Sequence, residues 1–159
     1  FSQNSTTLKS NDIVINPVAL VLGAVNVEYE RIISENSGIG VTTSFLLDDY
    51  IIDDNNGFSI TPYYNYYFGK KRANGFYIGG YCSINSGDVE KSYYVSSQYG
   101  GYTMYTTEKE TNFGIGFKFG GKWVVKNDIV LEIGTGLGRN FGGENKVNTT
   151  GMLGIGKRF

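Results

Sequence analysis

Large apolar and small or polar residues alternate along almost the whole chain. In "TNFGIGFKFGGKW" the odd positions Phe113, Ile115, Phe117 and Phe119 are bulky and apolar, while Asn112, Gly114, Gly116, Lys118 and Gly120 fall between them. "IVLEIGTGLG" repeats the pattern, with Ile129, Leu131, Ile133 and Leu137 on one face and Glu132 and four other small or apolar residues on the other. In "GMLGIGKRF", Leu153, Ile155 and Phe159 alternate with Met152, Gly154, Gly156 and Arg158. A period of two is the signature of a strand with two different faces, and no stretch carries the 3.6-residue period of a helix. Turn residues divide the chain into eight such segments, predicted at 12–23, 25–34, 38–50, 58–69, 75–90, 105–124, 128–141 and 150–159. Short connections ("ENSG", "KKRANG", "KND") alternate with longer ones ("IIDDNNGF", "KSYYVSSQYGGYTMY", "GGENKVN"), except that the first link, near "GAVN", is tight.

The chemistry of the two faces decides which one is inside. A soluble barrel turns its bulky apolar residues inward. Here the opposite face is made of glycine and charge, and glycine on a solvated strand weakens it without packing anything. The lumen of a closed eight-stranded barrel is only just wide enough for side chains, so glycines inside it make room for long ones. The apolar face then requires an apolar solvent, and a bilayer tolerates no open sheet edge. The predicted fold is therefore all-β: an eight-stranded antiparallel up-and-down transmembrane β-barrel. Residues 12–159 form the barrel, and 1–11 form a flexible N-terminal segment left after removal of a signal peptide.

Composition removes other classes. There is no His, so no His-based triad, Cys–His pair or His metal site can be built, and the one cysteine, Cys82, excludes an internal disulfide framework. The net charge of −1 offers no footprint for nucleic acid. No run of about 18 apolar residues exists for a transmembrane helix. "GFKFGGKW" matches the start of a phosphate loop from Gly116 to Lys122, but Trp123 stands where Ser or Thr is required and no helix follows; "GTGLGRN" likewise lacks a helix. No enzyme and no cofactor are expected.

These residues resemble the small eight-stranded outer-membrane barrels of Gram-negative bacteria, the OmpX/OmpW/OmpA-barrel class. The likeness is architectural and covers about residues 12–159. Its most specific element is the final strand, where Leu153, Ile155 and Phe159 resemble the alternate-hydrophobic, aromatic-ended signal read by the barrel-assembly machinery. Lys157 departs from that signal, with a stem long enough to snorkel. The resemblance implies an integral outer-membrane location, periplasmic termini, short periplasmic turns and longer surface loops.

Three groups of residues are candidates for function. By the strand alternation Glu28, Glu30, Lys118, Glu132 and Arg158 point inward, where buried charges need partners. They form either a salt-bridged plug or a polar path. Tyr63, Asn65, Tyr67, Tyr77 and Tyr81 fill the remaining lumen. Tyr93, Tyr94, Tyr99, Tyr102 and Tyr105 crowd a hairpin that prolongs the fifth and sixth strands, and tyrosine is enriched in binding surfaces. Asp48, Asp49, Asp53 and Asp54 form an acidic loop whose spacing fits no calcium-hand pattern, so no metal is assigned to it.

The functional expectation is a non-enzymatic barrel, either a structural or accessory subunit of a larger outer-membrane complex or a surface binding module acting through the Tyr-rich loop. Its expected partners are outer-membrane lipids, the barrel-assembly machinery during insertion, and other outer-membrane proteins or lipoproteins. The alternatives are a narrow OmpW-like channel for small hydrophobic solutes and a soluble lipocalin-like lipid carrier.

Overall fold

In the computed structural model, which describes residues 8–47, 57–143 and 146–159, eight antiparallel strands close into one barrel in sequence order. The strands are β1 (Asn11–Ile15), β2 (Ala24–Ile32), β3 (Ser37–Leu46), β4 (Phe58–Tyr67), β5 (Gly75–Ser97), β6 (Gly100–Val124), β7 (Ile129–Phe141) and β8 (Val147–Arg158). Closure is by β1 against β8, with Asp12 opposite Arg158 and Ile15 opposite Ile155. The backbone of Phe159 exchanges hydrogen bonds with Asn11, so the last residue is held in the wall with its ring outward.

Burial is inverted relative to a soluble barrel. Phe113, Ile115, Phe117, Phe119, Ile133 and Leu137 are all exposed on the outer surface, while Glu28, Glu30, Lys122 and Glu132 are 2% exposed or less. This overturns the soluble lipid-carrier reading, which needs an apolar lumen. Aromatic pairs mark both rims of the outer band: Phe76 with Trp123 near the short turns, and Phe45 with Phe58 and Phe113 with Phe141 at the other end. Ten residues along β6 separate Phe113 from Trp123. At about 3.3 Å per residue and a tilt of roughly 40°, that is about 25 Å, the height of the apolar band of a membrane barrel. The outer surface is that of a transmembrane barrel.

The inward glycines bring the wall close to large side chains. A Cβ on Gly40 would collide with the ring of Tyr63, one on Gly134 with the hydroxyl of Tyr77, and one on Gly138 would reach the hydroxyl of Tyr81. Tyr63, Tyr77 and Tyr81 thus each lie over a stretch of strand stripped to backbone.

Three predicted boundaries differ. The first strand was expected to run over 12–23, but it stops at Ile15 and the chain turns into a short helix, α1 (Pro17–Val21). Pro17 has no N–H to offer a ladder, and the Asn16 side chain accepts from the Ala19 amide at 3.1 Å, capping the helix. The link between the first two strands is therefore α1 with Leu22 and Gly23, not a tight turn at "GAVN". The second difference is length. β5 and β6 were expected to end at 90 and begin at 105, yet they stay paired to Ser97 and Gly100. Gly100 carries a φ of +129°, a conformation open to glycine, which lets the ladder run to its tip. At the other end, Ser10 and Asn11 already bond to Phe159, so the barrel begins one residue before the predicted boundary at 12.

Candidate functional site

The lower lumen, on the side of the chain termini, is filled by charge. Lys122 on β6 is fully buried, with its Nζ 3.0 Å from Glu30 Oε2, 3.1 Å from Glu132 Oε2, 3.4 Å from Glu28 Oε1 and 3.9 Å from Asp12 Oδ2. Lys118, two inward positions along, reaches Glu28 at 3.4 Å and stacks over the Tyr63 ring at 3.7 Å. Arg158 clamps Asp12 through Nε and Nη2 at 2.7 and 2.8 Å, and donates to the carbonyls of Arg72 and Ala73 in the β4–β5 turn. Tyrosine hydroxyls complete the carboxylates: Tyr67 and Tyr63 donate to Glu30, and Tyr77 donates to Glu132. Burying a charge is costly unless it is paired and hydrogen-bonded, and every member of this cluster is tied to at least one opposite charge. Chemically the arrangement is a plug.

All five charges expected to face inward do so and meet in this one network. Two members escaped the sequence reading, Lys122 and Asp12. The alternation of Lys118, Gly120 and Lys122 on one face is the signal that places Lys122 inward. Tyr63, Asn65, Tyr67, Tyr77 and Tyr81 are all buried where the alternation puts them.

The upper lumen differs. Above Thr42 and Tyr81 the inward positions are amides and hydroxyls: Asn26, Ser44, Ser59, Asn85, Asn112, Asn140 and Asn148 among them. They surround a cavity of about 430 Å³. Asn148 Nδ2 donates to Ser83 Oγ at 2.6 Å and to Asn140 Oδ1 at 2.9 Å, and Ser59 Oγ donates to Asn85 Oδ1 at 2.6 Å. Glu110 at the rim is the only charged residue lining this cavity among the described residues.

Beyond the wall, β5 and β6 continue with no other described strand beside them. β4 leaves β5 at Ser86, and β7 leaves β6 at Phe113. The eleven register pairs from Gly87–Glu110 to Ser97–Gly100 form a free two-stranded ribbon, about 35 Å long at strand rise. The five tyrosines predicted to crowd this hairpin divide between its faces. Tyr93 and Tyr102 lie with Val95 and Met104 on the face that continues the lumen side, and Tyr94 and Tyr105 lie on the opposite one, both 73% exposed. Tyr99 stands at the tip, fully exposed. Lys91 and Glu108 pair at 2.8 Å across the ribbon, and the Glu108 carboxylate holds the Lys91 ammonium above its usual pKa. On the final strand, Leu153, Ile155 and Phe159, the residues expected to form an assembly signal, all point outward and are about half exposed. Asp48, Asp49, Asp53 and Asp54 lie outside the described residues. Among the described residues no group of three or more acidic or cysteine side chains converges as a metal site.

The fold is that of the small eight-stranded outer-membrane barrels. The chain is similar to the N-terminal β-barrel domain of Pseudomonas aeruginosa OprF, with a TM-score of 0.50 and 12% identity over 95% of this chain and 98% of that one. It is likewise similar to the Yersinia pestis outer membrane protein Ail, with a TM-score of 0.52 and 15% identity over 95% of this chain and 99% of that one. No protein-family model and no curated protein matches the chain. At such identities the likeness is one of fold, and function has to be argued from the residues.

Proposed function

We propose that this protein is a non-enzymatic integral protein of the bacterial outer membrane, with periplasmic termini, that binds a protein partner through the β5–β6 ribbon. It acts either as an accessory subunit of a larger outer-membrane complex or as a surface binding module. The observation that carries this reading is the ribbon itself. A free two-stranded ribbon in water is marginal in stability, yet this one displays Tyr93, Tyr94, Val95, Tyr99, Tyr102, Met104 and Tyr105 to solvent. Tyrosine supplies rigid contact area at low entropic cost, and the ribbon's edges offer unpaired backbone groups to a partner strand. A plugged lower lumen does not favour the narrow-channel reading.

The test is co-purification from native membranes in mild detergent, comparing the natural protein with a variant carrying Tyr93→Ala, Tyr94→Ala, Tyr102→Ala and Tyr105→Ala. Heat-modified electrophoretic migration reports whether the barrel itself is folded. A stoichiometric companion of the natural protein that the folded variant loses supports the reading. Retention of every companion by the folded variant sinks it.

A further inference from the structure

The barrel wall is incomplete on one side. β1 pairs with β8 only from Asp12–Arg158 to Ile15–Ile155, and then the chain leaves as α1. From Gly154 back to Val147, β8 has β7 on one side and no strand on the other. α1 packs against β2 and β8 and covers the lower part of this edge, presenting Val18, Leu20 and Val21 outward. Higher up, no described strand pairs with this edge. The cavity of the upper lumen is lined by Asn148 and Thr150, which point inward, and equally by Thr149 and Gly151, which point outward. Among the described residues β8 is unpaired on this side along Val147–Gly154, so its edge contributes to the cavity's wall. A Cβ on Gly151 would meet nothing within 4 Å. Gly151 sits opposite Thr135 on β7, between the aromatic rims and hence at the depth of lipid. Unpaired backbone is tolerated at that depth only where it lines a polar cavity, and this edge does.

We propose that this notch and the upper lumen together bind a glycolipid: an uncharged, hydroxyl-rich head group in the cavity, joined through the notch to acyl chains lying in the bilayer beside α1. The lining sets the chemistry of the head. Amides and hydroxyls both donate and accept, as does a sugar, and among the described residues the lining carries one carboxylate and no cation to attract an anionic head. Asn26, Asn112 and Asn148 bring side-chain amides to the cavity wall, groups that pair with hydroxyls both as donor and as acceptor. The notch sets the amphiphilic part, because a free sugar has no use for an opening onto hydrocarbon.

The experiment uses the full chain with isotope-labelled asparagine in phosphatidylcholine nanodiscs. Nuclear magnetic resonance of the side-chain amides is followed as digalactosyl diacylglycerol is added to the lipid, and separately as free galactobiose is added to the buffer. Saturable shifts at Asn26, Asn112 and Asn148 with the glycolipid, and a response to galactobiose only at far higher concentration, are expected. Asn112→Leu weakens the glycolipid response about tenfold, the cost of one buried hydrogen bond to the ligand. Gly151→Trp, which closes the notch from the lipid side, abolishes that response in a barrel that still migrates as folded. If Gly151→Trp does not fold, Thr149→Trp makes the same test from the neighbouring outward position. Absence of saturable shifts with the glycolipid overturns the proposal. So does an equal response to galactobiose that survives closure of the notch, which would make the cavity a site for soluble sugar entered from the loops.

Discussion

The two halves of the lumen are built on the same strands and the same inward positions, yet they are filled in opposite ways. Below, four carboxylates (Asp12, Glu28, Glu30 and Glu132) face three cations (Lys118, Lys122 and Arg158), with tyrosine packed around them and almost no free volume. Above, the side chains are short and uncharged, and they leave about 430 Å³ open. Long charged chains reach the barrel axis and lock to one another, whereas Asn, Ser and Thr stop short of it. The lower half is thus committed to holding the barrel together, and the upper half is left free to bind.

The comparison breaks most easily at Lys122. Lys122→Met removes the cation shared by four carboxylates and leaves buried charge uncompensated, which typically costs about 3–5 kcal/mol. Urea-dependent folding into detergent micelles or lipid vesicles should show a loss of that order, and a shift below about 1 kcal/mol would mean that the plug is not structural. Next comes Gly120→Val, where the new Cβ would lie 2.6 Å from Gly134 Cα on the adjacent strand and 2.9 Å from the Tyr77 hydroxyl. Backbone cannot yield as a flexible side chain can, so overpacking by about 1–3 kcal/mol is expected in the same assay. The smallest effect belongs to the upper half. Asn112→Leu should leave folding stability within about 0.5 kcal/mol, because its carbonyl oxygen makes no hydrogen bond for the fold to lose. A large loss at Asn112 would erase the distinction between a structural floor and a binding chamber.

Much of this arrangement was legible in advance, for reasons that differ from element to element. β6 and β7 announce themselves because the outward face must be apolar for lipid and the inward face must be glycine or charge for a narrow lumen, so both faces signal at once. The ribbon is legible as a hairpin that prolongs the fifth and sixth strands, but strand bounds of 90 and 105 stop short of its tip, because outside the membrane neither face is constrained and the alternation fades near Glu90. α1 was missed although Asn16 and Pro17 were in plain view. "PVALVLGAV" is apolar throughout, and a helix of five residues is too short to establish a period. The upper cavity was also missed. Asn and Thr at inward positions carry no strong individual signal, and only their convergence from several strands makes a chamber.

By itself, the sequence determined the number of strands, their order and which face meets lipid, because a period of two with opposite chemistries on its faces has one stable solution in a bilayer. It also determined that the lumen carries charge. Tertiary structure alone decided which charges meet and where the wall is left open. Lys122 meets Glu132 as its register partner on β7, but it reaches Asp12, Glu28 and Glu30 on β1 and β2 only because the sheet closes across the lumen. The notch exists because Pro17 and the Asn16 cap end β1 while β8 continues. Local residues end the strand, but only the closed barrel turns that ending into an opening.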